Sequence, residues 1–154
     1  MPNDLRNAVP CGCLLVAHEK DGKRYGMCCS WAMQVNVNEL LLAIGGQSAT
    51  GRALEVGDRV GVTVLAKDQV TVALGFGMKS SADADKFEGL DGVLVDGAAL
   101  TLAGGVRRMV GELLGKQSID TEGYTTLHHV KLLEVHEDGG EPLLLDDVLK
   151  MSGS

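Results

Sequence analysis

The chain has 154 residues, is 45% hydrophobic and 23% charged, and sets Lys+Arg 14 against Asp+Glu 21 for a formal net charge of -7. That length supports one sizeable core, the composition excludes a disordered or disulfide-stapled chain, and the negative field turns away phosphate backbones and anionic lipid surfaces. Met1 to Ala8 has no apolar leader, and no run approaches the roughly 18 apolar residues of a membrane span, so a cytoplasmic protein with no nucleic-acid or membrane partner is expected, as one domain over 1–154.

In chain order, Gly12 to His18 reads as a strand, and Lys20-Asp21-Gly22-Lys23 as the polar turn that folds it back into a hairpin. From Tyr25, strict alternation puts Tyr25, Met27, Cys29, Trp31, Met33, Val35 and Val37 on one face of a single long strand. Gly26, Cys28, Ser30, Ala32, Gln34 and Asn36 fall on the other. Leu40 to Ile44 is uniformly apolar and short, which predicts a strand covered on both sides. Ser48 caps a predicted helix that runs to Val56 and closes at Gly57, and Arg59 to Ala66 returns as a strand. Asp68 opens a helix towards Phe76, against the branched Val70, Thr71 and Val72. Gly75 to Ala84 reads as a loop before a helical turn at Lys86 and Phe87. Strands are expected at Val93 to Ala103, Val106 to Leu114 and Tyr124 to Val135, with a tail that packs Leu143 to Leu145. Several short strands and few helices predict a mainly β protein, a closed or partly closed antiparallel barrel.

No G-x-G-x-x-G, P-loop, G-x-S-x-G or H-E-x-x-H is present, which excludes a Rossmann unit. Cys11 and Cys13, and the neighbours Cys28 and Cys29, do not form C-x-x-C zinc pairs, so reduced thiols packed as small hydrophobes are expected and no metal. What remains for chemistry is a set of hydroxyl-bearing residues at turns and strand ends: Ser30, Ser48, Thr50, Ser80 and Ser81. With backbone N–H groups they can hold an anion without a basic patch. His128 and His129 fall on opposite faces of a regular strand.

Gly26-Met27-Cys28-Cys29-Ser30-Trp31-Ala32-Met33-Gln34-Val35-Asn36 resembles the G-M-T-x-S-W-x-x-Q-V-S strand of the flavin reductase-like, FMN-binding split-barrel family. Phe76-Gly77-Met78-Lys79-Ser80-Ser81-Ala82-Asp83-Ala84-Asp85-Lys86-Phe87 is similar to that family's F-G-x-x-S-G-R-D-x-D-K-F loop, and Ser48-x-Thr50 and Val60 to Gln69 match further segments in the same order. The resemblance spans about residues 5 to 148. It implies a six-stranded antiparallel Greek-key split barrel with a few short helices, usually a homodimer. FMN then lies near the subunit interface, reduced by NADH or NADPH or by a redox protein partner. Residue by residue, it puts Cys28, Cys29, Ser30 and Trp31 beside the flavin's ribityl and phosphate arm, Gln34, Val35 and Asn36 near its ring, and Ser48, Thr50, Ser80 and Lys86 at the phosphate end. It gives His128 the redox or substrate role of the family histidine. Three positions depart from the pattern: Asn38-Glu39 replace Pro-Pro, Ser81 a glycine, and Ala82 an arginine. They motivate a competing expectation, a split barrel that serves as a binding or interaction module without productive flavin chemistry.

Overall fold

A computed structural model describes residues 5–78, 85–120, 122 and 124–151. β1 (Leu14–Lys20) and β2 (Lys23–Cys29) form the expected hairpin, in register from Leu14 with Cys29 to Lys20 with Lys23. Its turn takes positive φ at Asp21 (52°) and Gly22 (79°), the backbone twist that matches two-residue hairpins. β2 stops at Cys29. After Ser30 and Trp31 the chain becomes β3 (Ala32–Asn36), which pairs with β4 (Glu39–Gly45) instead of β1. The long strand expected from Tyr25 to Val37 is therefore two strands, because alternation continues unbroken through a change of partner.

α1 (Ala49–Ala53) starts at Ser48, whose Oγ accepts from the Gly51 N–H at 3.2 Å. It is shorter than expected, since Leu54 already turns extended and buries its side chain. β5 (Arg59–Val64) follows, then a 3-10 turn at Lys67–Gln69 that leads into α2 (Val70–Met78). Burial of Ala73 and Phe76 outweighs the modest helix cost of the branched residues. α2 also takes up the first part of the expected loop; residues 79–84 lie outside the described ones. β6 (Val93–Asp96) and β7 (Ala99–Leu102) are a hairpin where one strand was expected, broken at Gly97 with φ 59°. β8 (Arg107–Ser118), β9 (Thr125–Glu137) and α3 (Leu145–Met151), which the alternation did not foreshadow, complete the chain.

The strands make one antiparallel sheet in the order β3-β4-β9-β8-β5-β1-β7-β6, with β2 on the other edge of β1. This corrects the six-stranded barrel: nine strands are described and their pairing path does not close. β1 hands one edge from β5, at Leu14 to Ala17, to β7 at His18, which sends the sheet in two directions. Two cores result. Val16, Leu42, Ile44, Val62, Leu113 and Val130 fill one; Leu15, Ala17, Phe76, Phe87, Leu100 and Leu143 fill the other. β1 feeds both, which is why Leu14 to Ala17 is apolar without alternation. Gly26 in β2 lies directly under the second core: a Cβ there would come within 2.7 Å of Phe76 and 2.8 Å of Phe87. Among the described residues, no helix is long and apolar enough to cross a membrane.

Candidate functional site

Among the described residues β2 pairs only with β1, so its second edge is a row of backbone groups with no strand partner. Two elements flank that edge. On one face, Ser48 Oγ donates to Met27 Sδ at 3.3 Å, which ties the start of α1 to β2. On the other, Lys86 Nζ donates to the carbonyls of Gly26 (2.9 Å) and Phe76 (2.8 Å), and burial pushes its pKa down. The turn that carries Lys86 is held by Asp85, which pairs with Arg24 and accepts from the Phe87 N–H at 3.0 Å.

The thiols sit at the C-terminal end of β2. Ser30 Oγ donates to Cys13 Sγ at 3.7 Å. The Cys28 thiol donates to the same sulfur, and these two bonds bring the Cys13 pKa down to about 7 against the opposing effect of burial. Cys28, as the donor and itself half-buried, is pushed up and stays protonated. Cys29 lies in the other core, pushed up to about 12 by burial, with Sγ 3.6 Å from the carbonyls of Trp31 and Ala43. All four cysteines are free, and no group of three or more His, Cys, Asp or Glu among the described residues is arranged to hold a metal.

Two cavities meet at this point. One of about 300 Å³ is an apolar slot lined by Trp31, Met33, Leu41, Ala43 and Leu127, with Cys11 and Ser30 at its polar side. The second, of about 250 Å³, is lined by Arg6, Met27, Cys28, Cys29 and Ser30 and roofed by Leu145 and Leu149 of α3. Ser30, Trp31 and Ala43 belong to both, so the two spaces are neighbours. Trp31 is 54% exposed and its Nε1 donates to the Arg6 carbonyl at 3.2 Å, which holds the N-terminal segment at the junction. Of the residues singled out from sequence, Cys28, Cys29, Ser30 and Trp31 thus converge, with Ser48 beside Met27. Gln34, Val35 and Asn36 stand on β3, whose five residues are all exposed, and line neither cavity; Gln34 Nε2 instead donates to the carbonyls of Asn36 (2.9 Å) and Val37 (3.3 Å). Lys86 lines a separate cavity beside Phe76 and Gly75. Ser80 lies outside the described residues.

Thr50 and His128 are inside the fold. The short α1 cannot satisfy its own C-terminal carbonyls, and three side chains from three strands do so. His18 Nε2 donates to the Thr50 carbonyl at 3.1 Å, and His128 Nε2 to that of Gly51 at 3.2 Å. Lys116 Nζ reaches in from β8 to the carbonyls of Gly51 (3.1 Å) and Leu54 (2.8 Å). The second ring nitrogen of His128 stands 3.2 Å from the Thr126 carbonyl, so both faces of that ring are taken up by backbone. Burial pushes the pKa of both histidines down. What sequence reading missed are the cavity residues Arg6, Leu41, Ala43 and Leu127; the alternation of β4 and β9 held the signal for the last three, since it puts them on the face turned away from the buried Leu42, Ile44 and His128.

The family model for the flavin reductase like domain matches residues 6–148. The chain belongs to this family. Its fold is similar to that of a Streptomyces globisporus C-1027 NADH:FAD oxidoreductase, SgcE6, solved in complex with NAD and FAD fragments: TM-score 0.78, 18% identity, 90% of this chain and 82% of that one. Flavoredoxin from Methanosarcina acetivorans gives a TM-score of 0.74 at 15% identity over 88% and 75% of the two chains. The flavin reductase PheA2 gives 0.73 at 17% identity over 92% and 93%. No curated protein sequence matches the chain.

Proposed function

We infer that the protein is a flavin-dependent oxidoreductase that binds FMN across the paired cavities and either reduces flavin with NADH or NADPH or passes electrons to a protein partner. The observation that carries this reading is the shared wall of Ser30, Trp31 and Ala43, with an apolar slot on it and beside that a second cavity lined by a hydroxyl, thiols and an arginine. That is the division a planar ring with a charged arm requires. Family membership and the SgcE6 structure with NAD and FAD fragments support flavin and a nicotinamide donor.

When bound, the flavin supplies the hydride and electron chemistry. The chain binds, orients and keeps water out. Trp31, Met33 and Leu41 would hold the ring, with Gln34, Val35 and Asn36 of the exposed β3 further out. Ser30, Cys28, Cys29 and Arg6 would line the arm, and Ser48 and Ser80 would complete the phosphate end, supported from behind by the buried Thr50 of α1 and by Lys86 through the Gly26 carbonyl. His128 serves as a positioning residue, since it reaches the site only through the Gly51 carbonyl of α1. The exposed β3 face, with Met33 60% exposed beside Trp31, supports pairing of two copies over the slot.

Native mass measurement of the freshly purified protein tests both statements, because it reports subunit count and bound cofactor mass together. A dimer carrying one FMN per subunit, with visible flavin absorption, is the expected result. A colourless protein that takes up no added FMN overturns the reading and leaves the split-barrel binding module in its place.

A further inference from the structure

The register of β1 on β2 decides which of the four free cysteines meet. Leu15 stands opposite Cys28 and Leu14 opposite Cys29, so Cys13, two residues before Leu15, shares the face of Cys28 and lies diagonally across from it. Cys13 belongs to the second core, and Cys28 packs against that core from its edge. Cys29 turns to the other side of the hairpin and belongs to the first core, where burial pushes its thiol up to about 12. Cys28 and Cys29 are neighbours in sequence and strangers in space, whereas Cys28 and Cys13 are joined by a hydrogen bond between their sulfurs. Diagonal neighbours stand near the upper limit of the Cα separation that a disulfide spans, and here the sulfurs are already in contact.

The two sulfurs are not equivalent. Cys13 is fully buried and its backbone is fixed on both sides: its N–H donates to the Leu143 carbonyl at 2.9 Å, and its carbonyl accepts from the Leu65 N–H at 3.0 Å. Cys28 is half-buried and lines the cavity roofed by Leu145 and Leu149, so a small solute in that cavity meets Cys28 before Cys13. Charge is distributed the other way. The Cys28 thiol and the Ser30 hydroxyl, 3.7 Å from Sγ, bring Cys13 down to about 7, although Asp147 and burial oppose this, while the Cys28 thiol is held protonated. The Lys86 ammonium, bonded to the Gly26 carbonyl two residues from Cys28, favours negative charge on the Cys28 sulfur. A reactive thiol needs both access and thiolate character. Here one sulfur has the access, its neighbour has the charge, and a single proton lies between them.

We propose that Cys28 and Cys13 form a reversible disulfide, with a hydroperoxide in the cavity as oxidant, Cys28 as the attacking sulfur and Cys13 as base and resolving sulfur. Cys28 Sγ attacks one peroxide oxygen while its proton passes to Cys13. The O–O bond breaks, and the departing hydroxide takes that proton to leave as water, which gives a sulfenic acid on Cys28 and the thiolate on Cys13. Cys13 Sγ then attacks Cys28 Sγ; the S–O bond breaks, hydroxide leaves and the S–S bond forms. The two sulfurs together lose two electrons, and the peroxide takes them up as one water and one hydroxide. Because Cys13 is fixed by its backbone bonds, closure draws Cys28 inward, off the cavity wall.

The test uses the full chain, reduced, freed of reductant, treated with hydrogen peroxide in slight excess and digested without reduction. Thiols titratable in denaturant are expected to fall from four to two, dithiothreitol to restore them, and fragment sequencing to find the link between Cys13 and Cys28. Cys11→Ser is expected to oxidise like the wild type. In Cys13→Ser, Cys28 is expected to stop at the sulfenic acid and to be trapped by dimedone; should that variant not fold, the wild-type link carries the test. A link through Cys11 or Cys29, or four thiols that all survive the peroxide, overturns the proposal. Dimedone on Cys13 in Cys28→Ser overturns the assignment of the attacking sulfur.

Discussion

Two adjacent histidines on β9 serve regions with opposite requirements. Around α1, His18, His128 and Lys116 direct their hydrogen bonds to backbone carbonyls, and the two rings are sealed from water. On the outer face of β3, β4 and β9, polar side chains hold one another while Trp31 and Met33 stand open. A buried polar group must spend its hydrogen bonds on the fold, because leaving one unmade costs about 1 to 3 kcal/mol. A half-exposed group such as His129, held by the Glu39 carboxylate, can leave the rest of its hydrogen bonding to water. Strand alternation alone, one residue apart, separates the buried histidine from the half-exposed one.

The sharpest way to break this contrast is a pair of leucine truncations on β4. Leu42 is fully buried, and Leu42→Ala is expected to lower the unfolding free energy by about 2 to 5 kcal/mol in urea titrations. Leu41→Ala, on the slot side, is expected to lower it far less and to weaken FMN binding instead. Next in size is acid sensitivity. Burial holds His18 and His128 below their ordinary pKa, so on acidification the unfolded chain takes protons first. The contribution is complete above about pH 6.5 and is lost as pH falls through the lower folded values. Urea midpoints measured at pH 7.5 and 5.5 should drop, and drop less in His128→Gln.

Lys116→Met removes the donor shared by the Gly51 and Leu54 carbonyls. About 1 kcal/mol of stability is expected to go, and amide exchange in α1 to rise, with β3 and β4 unaffected. The smallest stability change belongs to Trp31→Ala, below about 0.5 kcal/mol because the ring is exposed. Its effect should appear in the FMN dissociation constant, raised roughly tenfold, or about 1.4 kcal/mol. A large loss of stability in Trp31→Ala would mean that the outer face belongs to the fold rather than to a ligand.

Much of this was legible beforehand where periodicity and burial coincide. β1, β4, β5 and β9 stand close to where their apolar patterns put them, and Ser48 caps α1 as its residue type suggests. The failures have a common cause. Trp31 continues the alternation of β2 although its backbone already bonds to Ala43 of β4, and no pattern along one strand names its partner. α3 was not seen because its apolar residues, Leu145, Val148 and Leu149, are few and pack on the second core and the cavity roof from outside. The site followed the same rule. Cys28, Ser30 and Trp31 are neighbours in sequence and were found together, whereas Glu39 and His129 meet only through the β4–β9 register, which no local signal encodes.

Among the described residues the second edge of β2 meets no other strand, and this bears on solubility. An open strand edge is a template on which a foreign extended peptide can zip. Charged Lys23 and Arg24 at one end and the lysine bridge to Gly26 in the middle interrupt the template without covering the stretch from Met27 to Cys29.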